Sequence, residues 1–266
     1  MKKTTKFLIN LTSVASIVLI ATLNASQLAV VGQPTPNNVD GGPPTRSGGP
    51  RFIQPTEDPL TPSNPGPPRS SPGPTRRASQ CVKGKIKLTA LVPPNKIGRT
   101  VSEYPLFFFY LPQTDAPLAE FVLQDENGKQ IYQTTLKINN SSGVIGVSMP
   151  ANQNVSPLEA GKNYRWSVAL ICETEDRSAD VSETGIVRRV ELSADIRSQL
   201  EKADPRQKTV IYAQNGIWQD ALSTLAAARR ANPNDAELAA DWESLLDSVT
   251  LGEIAKEPIV EIEQQP

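Results

Sequence analysis

The chain has 266 residues, of which 21% are charged, and its formal net charge is −1. This balance excludes a strongly basic surface of the kind that binds nucleic acid or anionic lipid through global charge. The chain has no histidine, so the most frequent general base and the most frequent transition-metal ligand are both missing.

The first 28 residues have the pattern of a secretory signal peptide. A cationic start with Lys2, Lys3 and Lys6 precedes an uncharged, mostly apolar run over 7–23, and small residues follow. The alternative is a retained membrane anchor, for which the apolar run is short. We expect a cleaved signal over 1–28 and an exported protein in the periplasm, the cell envelope or the medium, with membrane contact only if this segment is retained.

Residues 29–80 are rich in proline, glycine and serine. Of the 24 prolines in the chain, 13 lie between Pro34 and Pro74. Such a composition buries too little apolar surface to offset the entropy of ordering, so it predicts a disordered linker. A weakly basic arm that touches an anionic polymer or lipid surface is the alternative, because arginines outnumber acids here.

Residues 81–192 contain short β-rich runs separated by Pro, Gly and Asn. Asn127-Gly128, between two such runs, is a signal for a two-residue hairpin. Strands at this spacing predict an antiparallel sandwich or barrel. The predicted strands lie at 85–92, 104–112, either side of 127–128 within 118–138, and at 143–150, 163–173 and 183–192.

One of these runs, L-x-x-G-x-x-Y-x-W-x-V from Leu158 to Val168, resembles the tyrosine corner of fibronectin type III and immunoglobulin-like domains. The resemblance implies that the Tyr164 hydroxyl ties down the preceding crossover and that Trp166 lies in the core. We therefore expect an immunoglobulin-like β-sandwich, with Tyr164 and Trp166 in structural roles.

The two cysteines, Cys81 and Cys172, have three interpretations. Exported thiols tend to pair, and Cys172 shares a strand face with Trp166, which favours a buried position. We expect a Cys81–Cys172 disulfide, and free structural thiols are the main alternative. Reactive chemistry is disfavoured because no histidine is present to activate a thiolate.

From residue 193 to 258 the hydrophobic period becomes helical. Predicted start and stop signals are an N-cap at Ser193, the pair Asp204-Pro205, a stop at Asn215-Gly216, a stop at Pro233 and a capping box from Asn234 to Glu237. The remaining residues, 259–266, are predicted to form a disordered tail.

Part of this helical region matches the spacing of one tetratricopeptide repeat at Tyr212, Gly216, Trp218, Ala221, Leu225, Ala228 and Pro233. A single repeat cannot bury a continuous core by itself. The helices either cap the sandwich or hold a partner peptide on a concave face. In the second case Tyr212, Trp218 and Trp242 are the candidate partner-binding residues.

Residues 81 to about 258 resemble one family, the cyanobacterial domain of unknown function 928. Four stretches carry the likeness: "LTALVPPNKIGRTVSEYPLFFFYLP", "YRWSVALICETEDRSADVSETGIVRRVEL", "YAQNGIWQDALSTLAAARRANPND" and "DWESLLDSV". The resemblance implies an exported protein with a β part followed by a helical part. It implies no established activity and no catalytic residues.

Three features of the sequence could carry chemistry. The acidic stretch 172–183 offers carboxylates to calcium, but its spacing is not that of an EF-hand, so a solvated connection is expected. Asp115 and Glu126 are carboxylates that a glycosidase needs in a pair, and nothing in the sequence places them together. The aromatic run 107–110 offers a sugar or peptide platform, although a buried strand explains it more simply.

These observations predict an exported, non-enzymatic protein-interaction or envelope-associated protein, with no catalytic residue, cofactor or metal. Its expected partner is another exported protein or an envelope polymer, and nucleic acid is excluded. A polysaccharide-binding accessory module is the alternative, and a carboxylate-based enzyme is a less favoured one.

Overall fold

The structure is a computed structural model, and it describes residues 49–56, 81–139, 141–151 and 155–265. The predicted signal peptide and most of the predicted linker lie outside these residues. Described helices contain no segment long and apolar enough to cross a membrane.

Twelve strands form three sheets within the described residues. Strands β1 (Val82–Lys83) and β5 (Gln113–Thr114) pair with each other. A four-stranded sheet has the order β11-β8-β4-β2, and a six-stranded sheet has the order β12-β7-β6-β9-β10-β3. The bounds are β2 Thr89–Ala90, β3 Ile97–Thr100, β4 Leu106–Leu111, β6 Leu118–Gln124, β7 Gln130–Lys137, β8 Gly143–Ser148, β9 Asn163–Ile171, β10 Val181–Arg189, β11 Ile259–Val260 and β12 Glu263–Gln265.

The two larger sheets share one apolar core. Phe107 of β4 lies with its ring centroid 5.0 Å from Phe121 of β6 and 5.6 Å from Trp166 of β9. Ile145 and Leu123, both fully buried, belong to the same cluster. The sheets therefore pack face to face.

The sheets are mixed, which corrects the prediction of a wholly antiparallel arrangement. Strand β10 pairs in parallel with β3, and β11 pairs in parallel with β8. Parallel neighbours require long connections, and here both partners are far apart in the chain. Local sequence signals report hairpins between neighbours and carry no information about such distant pairs.

The four-stranded sheet is a middle layer, because its second face packs against helices. Phe107 and Phe109 of β4 face the first core, while Phe108 and Tyr110 belong to a second core that includes Trp218. A strand buried on both faces reads as a continuous apolar run. This explains why the run 106–111 shows no alternation.

The hairpin predicted around Asn127-Gly128 is confirmed, but its turn is not the predicted two-residue one, because the Asp125 N–H donates to the Lys129 carbonyl oxygen and leaves three residues, 126–128, in the loop. Strands β6 and β7 pair in antiparallel register on either side of it. Gly128 has a φ of +81°, the left-handed conformation that glycine tolerates. Asp125 Oδ1 accepts hydrogen bonds from the backbone N–H groups of Asn127 and Lys129, both at 2.9 Å, which stabilises the turn.

In the described part of the chain, four α-helices lie between β10 and β11: α1 (Ala194–Lys202), α2 (Pro205–Gln214), α3 (Trp218–Ala231) and α4 (Ala236–Asp247). Ser193 caps α1 as predicted, and Asp204 with Gln207 forms a capping box on α2. The predicted capping box from Asn234 to Glu237 is wrong, because the N-cap lies one residue later and Leu238, the third helical residue, has no side-chain acceptor. Asp235 is the N-cap of α4, because its side chain accepts hydrogen bonds from the backbone N–H groups of Glu237 and Leu238.

The C-terminal tail differs from the prediction of disorder over 259–266. Ile259 and Val260 pair with Val144 and Ile145 of β8, and Glu263–Gln265 pair with β7. Ile259 packs against the second core, whereas Val260 packs against the first. The tail is held because it adds a strand to the open edge of each large sheet, an edge that the tail sequence alone does not reveal.

Candidate functional site

Cys81 and Cys172 form a disulfide with a sequence separation of 91. The disulfide prediction is confirmed. The bond joins the start of β1 to the residue that follows β9, and neither thiol is available for nucleophilic chemistry.

Tyr164 and Trp166 are both buried, and their contacts stabilise the fold. The Tyr164 hydroxyl accepts a hydrogen bond of 2.9 Å from the backbone N–H of Glu159, upstream of β9. Trp166 is buried against Gly185, where a Cβ atom would lie 2.7 Å from the indole ring. Neither residue lies at a surface where a ligand can reach it.

Trp218 and Trp242 are fully buried in the second core, and Tyr212 packs at its margin. The Trp218 indole Nε1 donates a hydrogen bond of 2.8 Å to the carbonyl oxygen of Leu91, so this side chain joins α3 to the β part. The guanidinium of Arg229 lies 5.3 Å from the centroid of the Trp242 ring, as in a cation–π contact. Trp218 and Trp242 therefore lie in the core that supports the helical surface, and Tyr212 lies at the edge of that core.

Residues 49–56 lie across this helical surface. The Phe52 ring packs edge-on against Trp218 with centroids 5.2 Å apart. The Phe52 N–H donates to Ser248 Oγ and the Ile53 N–H donates to the carbonyl oxygen of Ala213, both at 3.0 Å. For these eight residues the structure differs from the linker prediction, because an aromatic anchor and two backbone hydrogen bonds offset the entropy of ordering.

The burial of this docked segment does not follow a regular period, because Pro50 is its one buried residue and Gly49, Phe52 and Pro55 are half-buried. Gly49 lies against Ser244 of α4, Phe52 against Trp218, and Pro55 against Gly216. The Ile53 side chain, which lies between Phe52 and Pro55 in the sequence, is 56% exposed, so little of it packs on the helices.

Two glycines fit the segment to the helices. Gly216, at a φ of +70°, ends α2, and a Cβ atom there would overlap the ring of Pro55. A Cβ atom on Gly49 would lie 2.6 Å from Ser244 Cβ. We call this surface, formed by Ala213, Gly216, Trp218, Ser244 and Ser248, the segment groove.

A second depression of about 620 Å³ lies between α1, α2 and α4. Arg206 at its wall donates to Asp241 at 2.6 Å and also pairs with Glu237. The hydrogen bond to Asp241 is the main cause that raises the pKa of Arg206, and the charges of Asp241 and Glu237 raise it further. The charged guanidinium of Arg206 is thus already paired with two carboxylates in the wall of this depression.

A smaller polar cavity of about 110 Å³ lies between β3 and α3. Burial raises the pKa of Asp220 to about 6, although hydrogen bonds from Thr100 and the Val101 N–H favour its charged form. Gln219, 1% exposed, has no hydrogen-bond partner for either amide atom. This cavity is a polar joint between the sheet and the helices.

The acidic stretch 172–183 is a connection between β9 and β10. Arg177 pairs with Asp180 and, at 3.0 Å, with Glu120. Over the described ranges, no group of three or more His, Cys, Asp or Glu side chains is arranged to hold a metal ion. Asp115 and Glu126 are not brought together: the first pairs with Lys83 at 2.5 Å, and the second accepts from the Asn163 side chain at 2.7 Å.

The aromatic run 107–110 is buried, so it offers no platform for a sugar. The one large apolar side chain that is exposed in the described part of the chain is Ile53. A polysaccharide-binding row of exposed Tyr and Trp therefore has no counterpart among the described residues.

Sequence reasoning missed the docked segment, although one signal was present. Phe52 is the only aromatic residue between residues 29 and 80, and a single large apolar side chain in an otherwise polar linker is a candidate anchor. The composition of the whole linker concealed it.

No curated protein matches the chain. The family model described as Domain of Unknown Function (DUF928) matches residues 71–259. This match covers β1 to β10, the four described helices and the first residue of β11, whereas residues 49–56 and β12 lie outside it. The chain therefore belongs to the DUF928 family.

Proposed function

We propose that the protein is an exported, non-enzymatic interaction protein whose helical region binds an extended, proline-containing peptide. The β part is the scaffold, and the segment groove is the contact surface. The single observation that carries the proposal is that the groove already holds a peptide, residues 49–56, through an aromatic anchor and two backbone hydrogen bonds.

The manner of binding supports this function. The backbone N–H groups of Phe52 and Ile53 supply the polar contacts, and Pro50, Phe52 and Pro55 supply the buried and half-buried side chains. Two of these three residues are prolines, whose fixed φ reduces the conformational entropy that the segment loses on docking. The helical surface is thus built to accept an extended chain.

Export is supported by two features. The first 28 residues carry the pattern of a signal peptide, and Cys81 is bonded to Cys172. Disulfides form and persist outside the reducing cytosol. Fractionation of cells that express the tagged full-length chain tests this part, and a full-length, uncleaved chain confined to the cytosol would contradict it.

Peptide binding is tested by fluorescence anisotropy with a labelled peptide of residues 46–58. The protein is the chain from residue 29 carrying Phe52→Ala, because this change vacates the groove. We expect saturable binding that is at least about tenfold tighter than to the unaltered chain, in which the tethered segment competes at an effective concentration of order millimolar.

Three controls give the test its specificity. A peptide with Phe52→Ala should not bind, whereas a peptide with Ile53→Ser should bind as well as the original, since this side chain is exposed. Adding Ser244→Ile to the protein should abolish binding, because the branched side chain occupies the place of Gly49. Equal binding of the Phe52→Ala peptide would refute a specific groove.

A further inference from the structure

We propose that the segment groove is also filled in trans, by residues 49–56 of a second copy of this chain. This inference rests on the proposed peptide-binding function and names the source of the peptide. Its consequence is that the protein links to copies of itself by exchanging the segment.

The first argument is that the required ligand pattern is present on the chain. The groove contacts Gly49, Phe52 and Pro55 of the segment, and Pro50 is buried in the docked segment. Each contact is between the segment and helical residues distant in sequence, for example Phe52 N–H with Ser248 Oγ. The same contacts are available whether the segment and the groove belong to one chain or to two.

The second argument is reach. Twenty-four residues, 57–80, separate the docked segment from Cys81. Covalent geometry lets this many residues bridge at most about 80 Å. A compact unit of the size of residues 81–265 has a radius of gyration of about 16 Å. The connection is therefore long enough to deliver the segment to an adjoining copy.

The third argument concerns concentration. A segment tethered to its own groove competes at an effective concentration of order millimolar, so dilute protein should dock in cis. Exchange becomes favourable where copies are crowded, or where the cis partner has been disabled. Disabling one half of the contact in each of two chains therefore isolates the interaction in trans.

The test mixes two variants of the chain from residue 29. The acceptor carries Gly49→Val and Phe52→Ala, which disable the segment and leave the groove intact. The donor carries Ser244→Ile, which blocks the groove and leaves the segment intact. Sedimentation velocity and native mass spectrometry are recorded on each variant alone and on the equimolar mixture at about 50 μM, and circular dichroism verifies folding.

We expect each variant alone to be monomeric and the mixture to form a one-to-one heterodimer. A donor that also carries Ile53→Ser should still form it, and a donor that also carries Phe52→Ala should not. Ser244→Val provides a second, smaller block of the groove if Ser244→Ile fails to fold.

Two outcomes would overturn the inference, and they are distinguishable. If the acceptor binds the labelled peptide of residues 46–58 but forms no heterodimer, exchange between copies is refuted while peptide binding stands. If the acceptor binds neither the donor nor the peptide, the proposed function itself fails.

Discussion

Asp220 is the residue whose surroundings depart most from those of an ordinary surface carboxylate. Its Oδ2 accepts a hydrogen bond of 3.1 Å from the Val101 N–H at the end of β3. Burial nevertheless dominates and raises the pKa of Asp220 to about 6. An unfolded aspartate has a pKa near 3.9, so between about pH 4 and 6 the folded protein binds this proton more tightly than the unfolded chain does.

The sign of the resulting pH dependence follows by linkage. The free energy of unfolding should rise as the pH falls from about 6 to about 4, by at most roughly 1.4 kcal/mol per pH unit from this group. Asp220→Asn, which keeps an acceptor for Val101, should remove this slope and raise stability at pH 8. Urea denaturation across pH 4 to 8 measures it, with the exposed Glu243→Gln as control, and an unchanged slope would contradict the assignment.

Phe52 and Ile53 are neighbours with opposite exposure, which makes them a matched pair. Phe52 packs on Trp218, whereas Ile53 is 56% exposed. Phe52→Ala should lower the free energy of unfolding by roughly 1–3 kcal/mol, less than for a fully buried phenylalanine. Ile53→Ala should change it by less than about 0.5 kcal/mol. Equal effects in chemical denaturation would show that the Phe52 ring is not an anchor.

At the scale of elements, the sequence predicts those that are fixed by interactions between residues close together in the chain. The β6–β7 hairpin and the start of α2 follow from turn and cap residues within a few positions, and both were predictable. Strand β3, the parallel partners and the tail strands β11 and β12 depend on edges supplied by distant residues. For the candidate site, Trp218 was identified from helical spacing, but Ser244 and Ser248 were not, since only the docked segment gives them a role.

The tail strands lead to a prediction at the same scale. Ending the chain after Lys256 removes β11 and β12 and exposes the edges of β8 and β7. Unpaired edges favour association between molecules, so this shortened protein should be less stable by a few kcal/mol and should aggregate on heating. Light scattering during a thermal ramp measures this, with Glu261→Ala in the intact tail as the control, and unchanged behaviour would show that the tail does not protect the sheets.

For the whole molecule, the disulfide is the main covalent constraint on the β part. It closes a loop over a sequence separation of 91, for which loop-closure entropy gives a stabilisation of roughly 4 kcal/mol. Reduction should lower the free energy of unfolding by up to that amount, measured by guanidinium denaturation with and without reductant. The double variant Cys81→Ser and Cys172→Ser should be insensitive to reductant, and a wild-type protein equally insensitive would argue against the bond.

The six-stranded sheet, the four-stranded sheet and the helices form three layers with different roles. The six-stranded sheet and one face of the four-stranded sheet form a closed core, and the other face supports the helices through residues such as Phe108 and Tyr110. Trp218 connects the β part to the segment groove, because its indole donates a hydrogen bond to the Leu91 carbonyl oxygen and its ring packs against Phe52. The fold thus supports the helical surface from below with a buried core.

The measurement that tests this account most directly is hydrogen exchange of residues 49–56 in the unaltered chain, read by mass spectrometry. If the Phe52 and Ile53 N–H groups donate to Ser248 and Ala213, their exchange should be at least about tenfold slower than in a chain with Gly49→Val and Phe52→Ala, with β6 and β7 unchanged between the two. Exchange of residues 49–56 at the rate of a free peptide in the unaltered chain would contradict a docked segment, and with it the groove on which the proposed function depends.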